Sequence, residues 1–328
     1  MSCGGGKRIY GPVPSRRLGR SLGIDLVPFK TCTYDCIYCQ LGRTTDKTIE
    51  RKDYFNVNEV LAELKRRLVD GLKPDYISLA GSGEPTLNRR IGDLISKIKK
   101  ITNIPLAVLT NGSLLWMPEV QDALMEANLV LPSLDAGDER LFRYINRPQP
   151  QIHFTQMLEG LSEFTHRFAG EVWLEVFLLA GVTGIASEAE KIAAQSRQIK
   201  PARIQLNTIS RPPAEAFAYA VTVEQMLSLK ALFPGKTDII SRKEGDSSYD
   251  SEFSRAKVDD IMALLSRRPC TAEDVAAGLG IHLNDSIKRL EKLIASGKVN
   301  TVFTGGRNYY QVIHRNEVLS ASEKVPLV

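Results

Sequence analysis

The chain has 328 residues and a mass of 36.4 kDa, with 43% hydrophobic and 25% charged residues. This composition excludes disorder over most of the chain, because the apolar residues can fill a sizeable core. The longest apolar run, residues 172–182, contains Glu175 and is too short to cross a bilayer, and the N-terminus lacks the apolar stretch of a secretion signal. We therefore expect a cytoplasmic protein without a membrane span, and the net charge of +5 does not by itself indicate a polyanionic partner.

Short apolar segments alternate with amphipathic helical patterns along most of the chain. Repeated strand–helix units predict parallel strands with helices outside, and right-handed crossovers curl six such units into a partial barrel or an open sheet. The expected fold class is α/β, with a partial (βα)6 TIM-like barrel. The predicted strands are residues 22–27, 76–80, 106–110, 129–133, 173–179 and 204–207. The predicted helices lie at residues 57–68 and 91–98, from 118, at 154–161, and from 187 and 222.

Two of these helices are predicted to begin with capping boxes. Ser187 precedes Glu190, and Thr222 precedes Gln225, each with the three-residue spacing of that motif.

Polar and reactive residues follow four consecutive predicted strands. In parallel α/β folds the loops after the strands share the C-terminal edge of the sheet, which is the functional face. Four such loops on one edge predict a single site there. The loops carry three cysteines after the first strand, residues 81–85 after the second, Asn111 after the third, and Ser133 and Asp135 at the end of the fourth.

The pattern changes after a polar stretch at residues 245–254, which we interpret as a linker. Three short helices are predicted at residues 258–265, 271–279 and 284–296, followed by a hairpin at 298–312 with a turn at Gly305-Gly306. This order is typical of a winged helix-turn-helix domain. The expected domains are therefore residues 1–244, the linker 245–254, and a winged-helix domain at 255–328.

Cys32, Cys36 and Cys39 have the spacing C-x3-C-x2-C within eight residues. Three thiolates on one short loop can hold three irons of a [4Fe–4S] cluster and leave the fourth iron open to a ligand. A structural zinc site is the alternative, but it usually takes four ligands, and no histidine or fourth cysteine lies near in the sequence. Clustered cysteines in a cytoplasmic chain thus predict a metal cluster.

The cysteine motif together with the segment after the second strand resembles the radical S-adenosylmethionine (radical SAM) superfamily. In that family the open iron chelates the amino and carboxylate groups of S-adenosylmethionine (SAM). The resemblance implies that Cys32, Cys36 and Cys39 bind the cluster. It also implies that Tyr38, the aromatic residue before the third cysteine, lies near the adenine.

Residues Ser82, Gly83 and Glu84 resemble the glycine–glycine–glutamate segment that holds the SAM amino group in this family, with Ser82 in place of the first glycine. A carboxylate facing an ammonium group forms a charge-assisted hydrogen bond, which gives Glu84 a physical role. The resemblance places Asn111 and Ser133 at polar contacts to the methionyl or ribose part of SAM.

Two further residues are candidates for catalysis or substrate contact. Asp135 follows the fourth predicted strand and is expected to touch substrate or SAM, or else to cap the next helix. Arg211 follows the sixth strand, from where it reaches toward the mouth of the barrel, within a loop shaped by the two prolines at 212–213.

The resemblance implies one-electron chemistry. A reduced cluster donates an electron to the sulfonium of SAM, the C5′–S bond breaks, and a 5′-deoxyadenosyl radical takes a hydrogen atom from the substrate. The implied electron donor is a small flavodoxin or ferredoxin. The substrate stays open between RNA, a peptide and an anionic metabolite; the basic group of Arg16, Arg17 and Arg20 would clamp an anion, or is solvated surface.

Several other segments look like one subgroup, the wyosine-tRNA-synthase-like Fe–S oxidoreductases, and this resemblance covers most of the chain. Wyosine synthases use additional cysteines for a second cluster, whereas only Cys3 and Cys270 remain here, so that activity is not expected. The segments are residues 10–24, 30–32, 132–135, 146–148 and 207–213.

The C-terminal domain leaves a second class of function open. One hypothesis is a radical SAM enzyme, in which the winged helix delivers a nucleic-acid or protein substrate; the alternative is an iron–sulfur regulator that binds DNA through it. The candidate phosphate contacts are Lys288, Arg289 and Lys292 on the predicted recognition helix and Arg307, Asn308 and Tyr309 at the wing.

Overall fold

The computed structural model describes residues 8–69, 72–240 and 258–313. The chain divides into two compact units, residues 1–245 and 246–328, which are treated separately below. The predicted linker at 245–254 and Cys3 lie outside the described residues.

The first unit contains an eight-stranded sheet whose strands are arranged in the order in which they occur along the chain. All six predicted strands are confirmed, and seven strands run parallel while β1 pairs antiparallel with β2 at one edge. The strands are β1 (Ile9–Ser15), β2 (Gly19–Ile24), β5 (Tyr76–Leu79), β6 (Leu106–Thr110), β7 (Leu129–Pro132), β8 (Glu171–Phe177), β9 (Arg203–Asn207) and β10 (Thr237–Ile239). Two-residue strands β3 (Thr31–Cys32) and β4 (Asp46–Lys47) pair with each other.

Within the described residues of this unit, seven α-helices accompany the sheet, and one of them, α4, was not predicted. The helices are α1 (Val57–Val69), α2 (Ile91–Ile101), α3 (Pro118–Leu124), α4 (Glu139–Ile145), α5 (Phe154–Arg167), α6 (Ala186–Ile199) and α7 (Val223–Lys230). The capping box of Thr222 and Gln225 at α7 is confirmed. The capping box predicted at Ser187 is wrong. Helix α6 already begins at Ala186, and its N-cap residue, Ile185, makes no side-chain hydrogen bond.

The two faces of the sheet differ in polarity. On β8, Val172, Leu174 and Val176 are fully buried in the same core cluster as residues of α5 and α6. The alternate positions, Glu175 and Phe177 among them, are only half-buried, as the two-residue period of a strand requires. The helix-covered face therefore holds the main hydrophobic core. The other face carries polar side chains such as Glu175 beside a smaller apolar cluster of Leu18, Ala107, Leu129 and Leu131.

The turn between β1 and β2 connects the two ends of the sheet. Arg17 Nη2 lies 2.5 Å from Glu175 Oε1 on β8, and Arg16 Nη1 donates to the carbonyl oxygen of Ile240, just after β10, at 3.3 Å. Both arginines leave from the edge that is formed by β1 and β2 and reach the opposite end of the strand order. The sheet must therefore curl for these contacts to form.

The second unit consists of three helices and a hairpin, at the positions predicted from the sequence. They are α8 (Val258–Leu265), α9 (Ala272–Leu279), α10 (Leu283–Ala295), β11 (Val299–Thr304) and β12 (Arg307–Val312). The residue before α9, Thr271, forms a capping box with Asp274, and Cys270 pairs antiparallel with Tyr310 of the hairpin. In the parts of the chain described, no helix has the length and apolarity needed to cross a membrane.

Candidate functional site

The three clustered cysteines lie on one loop at the C-terminal edge of the sheet, beyond the end of β2. Main-chain hydrogen bonds hold this loop from two sides: Glu84 N–H donates to the Thr31 carbonyl at 3.1 Å, and Ile37 N–H donates to the Ile145 carbonyl at 2.9 Å. Gly83 is required by the first contact, since a Cβ at that position would lie 1.8 Å from the Thr31 carbonyl oxygen. The loop is thus fixed by backbone geometry before any group binds to it.

Each cysteine sulfur accepts one N–H group from a different side chain. Hydrogen bonds to sulfur orient a thiolate and influence any metal that it binds. The three contacts are Lys30 Nζ to Cys39 Sγ at 3.4 Å, Asn111 Nδ2 to Cys32 Sγ at 3.6 Å, and Asn146 Nδ2 to Cys36 Sγ at 3.5 Å.

Two of the thiols, those of Cys32 and Cys36, are difficult to ionise without a cation. Burial raises the pKa of Cys32 to about 12, with further increases from the negative charges of Glu84 and Cys39. Burial, and then the charge of Asp135, likewise raises the pKa of Cys36 well above its ordinary value. Metal ions supply the positive charge that turns such thiols into thiolates, so this donor set fits an iron-containing group.

The arrangement fits a cluster better than a single zinc ion. Sulfur ligands at ~2.3 Å from one tetrahedral ion lie about 3.8 Å apart. Within residues 8–69, 72–240 and 258–313, no three His, Cys, Asp or Glu side chains converge closely enough to hold one metal ion. A cluster makes a different demand, because each of the three thiolates binds its own iron.

Glu84 lies beside the start of the cysteine loop and is 2% exposed. Its Oε1 accepts hydrogen bonds from Thr86 N (3.0 Å), Thr86 Oγ1 (2.6 Å) and Thr110 Oγ1 (2.6 Å), and its Oε2 accepts one from Asn111 N (2.7 Å). Burial raises the pKa of Glu84, and these donors oppose the rise. Each carboxylate oxygen has two lone pairs, and Oε2 accepts only the Asn111 N–H, so Oε2 has capacity left for another donor.

Asp135 lies at the other end of the cysteine loop and is 4% exposed. Its Oδ2 accepts from Tyr38 Oη and from Asn146 Nδ2 (2.8 Å), and its Oδ1 accepts from Phe177 N (3.1 Å). Burial raises the pKa of Asp135 to about 6, with the charge of Glu175 adding to the effect. The ring of Tyr38 stacks on Phe177, with centroids 4.0 Å apart, so Asp135 is enclosed by the groups that hold the loop.

The remaining predicted site residues lie around this centre in different ways. Ser82 is turned to Asp25: its hydroxyl donates to Oδ2 at 2.5 Å and its N–H to Oδ1 at 3.1 Å. The Asn111 amide donates to Thr33 Oγ1 at 2.7 Å as well as to Cys32. Ser133 is half-buried after β7, where its backbone bridges to Glu175, and Arg211 is half-buried in the segment after β9.

Sequence reasoning did not assign a role to three residues that contact the site. Lys30 and Asn146 lie in segments that resemble the subgroup, but that resemblance assigned neither of them a role. Their N–H contacts to sulfur depend on how distant loops meet. Phe177 was read as an apolar strand residue, and its stacking on Tyr38 could not be found from spacing. In the basic group, Arg17 is paired with Glu175 and Arg16 donates to the Ile240 carbonyl oxygen.

Comparisons with known proteins identify a matching family and several relatives. Residues 26–217 match the family model described as the Radical SAM superfamily. The UPF0026 protein MJ1312 of Methanocaldococcus jannaschii is 32% identical over 308 residues, which are 92% of this chain and 94% of that protein. A protein named GTPase Obg from Brachyspira hyodysenteriae is 40% identical over 307 residues, 93% of this chain and 45% of that protein. The chain thus spans less than half of the Brachyspira protein. It contains no segment with the pattern GxxxxGK[ST], which is the phosphate-binding P-loop motif.

Solved structures show the same kind of fold. A radical SAM methyltransferase from Sphaerobacter thermophilus aligns with a TM-score of 0.50 at 16% identity, over 74% of this chain and 68% of that chain. At this identity the likeness concerns the fold alone. Proteins of the matched superfamily bind a [4Fe–4S] cluster and S-adenosylmethionine.

Proposed function

Because the chain belongs to the radical SAM superfamily, we propose that it is an enzyme that binds a [4Fe–4S] cluster through Cys32, Cys36 and Cys39 and binds SAM at the open iron. The observation that carries the proposal is the set of three partly buried thiols on one loop, each with an N–H donor. When bound, the cluster and SAM supply a 5′-deoxyadenosyl radical that abstracts hydrogen from a substrate.

The residues around the loop have distinct proposed roles toward SAM. Glu84 Oε2 accepts the ammonium group, since it has acceptor capacity left and lies beside the start of the loop. Tyr38 presents an aromatic ring that is already stacked on Phe177 and forms one wall for the adenine. Asn111 and Ser133 supply polar contacts to the methionyl or ribose part.

Asp135 and Arg211 have proposed roles toward the substrate rather than toward the cluster. Asp135 is a buried carboxyl group with a pKa raised to about 6, which allows it to bind or release a proton near neutral pH. Arg211 lies after β9 at the C-terminal edge of the sheet, the edge that carries the cysteine loop. A flavodoxin or ferredoxin is proposed as the electron donor, and the substrate class stays open.

Anaerobic reconstitution with iron and sulfide tests the proposal. We expect the wild-type chain to take up about four irons, the content of one [4Fe–4S] cluster. When dithionite is added, we expect it to convert SAM into 5′-deoxyadenosine and methionine. Cys32→Ala, Cys36→Ala and Cys39→Ala are each expected to lose both properties. Cys270→Ala is the matched control, because this thiol lies in the second unit.

Two results would count against the proposal. One is a full cluster and SAM cleavage in all three cysteine variants. The other is a wild-type cluster whose spectrum does not change when SAM is added, because then no iron would be open to it. Neither the matched family nor the compared proteins supports the alternative of a DNA-binding regulator, and SAM cleavage would separate the two.

For the second unit we propose a winged helix that delivers a nucleic-acid or protein substrate. The bridge between Cys270 and Tyr310 favours this fold, because it ties the segment before α9 to the hairpin as a third short strand. The candidate phosphate contacts are Lys288, Arg289, Lys292, Arg307 and Asn308. Tyr309 is not one of them: it is 4% exposed, because it lies on the inward-facing side of β12.

Deletion of residues 255–328 tests this role. SAM cleavage without substrate is expected to continue in the shortened chain, while turnover of the substrate is lost. Binding to tRNA or duplex DNA is expected to weaken as salt rises, because phosphate contacts release counterions. Unchanged turnover after the deletion would contradict the delivery role.

A further inference from the structure

Lys30 is a buried cation in contact with the cysteine loop. Its side chain is 3% exposed, and its Nζ donates to Cys39 Sγ at 3.4 Å and to the carbonyl oxygen of Gly42. The other two sulfur contacts come from neutral amide groups, those of Asn111 and Asn146. Lys30 therefore differs from them in bringing a full positive charge to the sulfur atoms.

No carboxylate within the described parts of the chain forms a salt bridge with Lys30. A buried charge is costly unless it is paired, so the thiolates of the loop are its natural counter-ions. The lysine thus favours negative charge on this loop.

We propose that Lys30 is a positioning residue that raises the reduction potential of the cluster held by Cys32, Cys36 and Cys39. The inference rests on the proposed function. Reduction adds one electron, supplied here by dithionite, to a group already surrounded by thiolates. A nearby buried cation stabilises the reduced form more than the oxidised form, and hydrogen bonds to the sulfur atoms act in the same direction.

A purely structural role for Lys30 makes a different prediction. The residue has a left-handed backbone with φ of +59°, and its N–H donates to the Ser82 carbonyl at 2.7 Å. Substitution by Met or Arg leaves both features in place, because each new residue has a Cβ and a backbone N–H. A change in potential that follows the side-chain charge therefore reports on the electrostatic role.

The test is a dithionite redox titration of the reconstituted full chain, followed by electron paramagnetic resonance of the reduced cluster. We expect Lys30→Met to lower the equilibrium constant for cluster reduction about tenfold, a shift of about 59 mV to lower potential for a one-electron couple. Lys30→Arg is expected to stay near wild type. Lys47→Met is the matched control, because Lys47 is an exposed lysine on β4 whose Nζ bonds the Arg147 carbonyl.

Lys30→Gln is a second neutral variant that keeps an N–H donor, and its potential is expected between those of the wild type and Lys30→Met. An unchanged potential in Lys30→Met, with a full cluster, would overturn the inference while SAM cleavage upholds the proposed function. Loss of the cluster from both neutral variants would also overturn it, since Lys30 would then serve assembly. A wild-type chain that takes up no cluster would instead refute the proposed function itself.

Discussion

Two buried carboxylates lie at the two ends of the cysteine loop, and their surroundings differ. Glu84 accepts four hydrogen bonds from Thr86, Thr110 and Asn111. Asp135 accepts three, and the charge of Glu175 lies near enough to raise its pKa, which burial has already raised. In both groups burial raises the pKa and hydrogen-bond donors oppose the rise, and Asp135 has in addition the neighbouring charge of Glu175.

The largest effect is expected at the Glu84 end of the loop. Gly83→Ala places a Cβ against the Thr31 carbonyl, where the backbone cannot yield, and we expect a loss of about 4 kcal/mol in the free energy of unfolding. Gly235→Ala is the control, since no atom lies within 4 Å of its added Cβ and only the left-handed backbone costs about 1 kcal/mol. Equal urea midpoints for the two variants would refute the close contact.

The second effect is a pH dependence at the Asp135 end. The folded pKa of about 6 exceeds the ordinary 3.8, so the folded chain binds more protons between these values. The free energy of unfolding therefore falls by up to about 3 kcal/mol, for a two-unit shift in pKa, as pH rises from 4 to 6. It stays at the lower value above pH 6. In urea unfolding between pH 4 and 6, we expect the metal-free wild type to lose up to about 3 kcal/mol of unfolding free energy relative to Asp135→Asn.

Asp138→Asn is the control for this pH dependence, with the opposite sign. The Leu141 N–H, followed by Lys191, lowers the pKa of Asp138, so its contribution is lost as pH falls. Parallel stability curves for wild type and Asp135→Asn between pH 4 and 6 would contradict the raised pKa.

The third effect concerns the charge of the Glu84 carboxylate. In Glu84→Gln an NH2 group replaces one oxygen and faces a hydrogen-bond donor, so we expect about 2 kcal/mol of destabilisation. SAM cleavage by the reconstituted chain is expected to fall by more than tenfold. Glu50→Gln is the control at an exposed carboxylate paired with Lys52, where no more than about 0.5 kcal/mol is expected. Unchanged SAM cleavage in Glu84→Gln would remove Glu84 from the proposed site.

The smallest effect is expected for Tyr38→Phe. The ring still stacks on Phe177, while the hydrogen bond from Tyr38 Oη to Asp135 is lost, at a cost of about 1 kcal/mol. Tyr38→Ala also loses the stacked ring and is expected to cost about 3 kcal/mol in the same urea experiment. Equal losses would show that the stacking contributes nothing.

Much of the sheet was predictable because its strands are short apolar runs between amphipathic helices. The strands also predicted that the residues after them, including Glu84 and Asp135, lie at the same C-terminal edge of the sheet. β1 was missed because Pro12 and Pro14 argue against a strand; both are tolerated because β1 is an edge strand. β10 was missed because three residues carry little periodicity.

The contacts of the site were less predictable than its location. The hydrogen bond from Asn146 to Cys36 joins residues 110 positions apart, and the one from Asn111 to Cys32 joins residues 79 apart. Local patterns carry no information about such pairs, which depend on the packing of loops after different strands. The use of Ser82 to bind Asp25 was missed for the same reason.

The contacts of Arg16 and Arg17 set an order for folding of the first unit. Arg17 binds Glu175 over a separation of 158 residues, and Arg16 binds the Ile240 carbonyl over 224. During synthesis the first hairpin must therefore wait for nearly the whole unit to leave the ribosome before it can close these contacts. Long-range closure of this kind slows folding, so the turn between β1 and β2 is among the last parts of the unit to reach its final position.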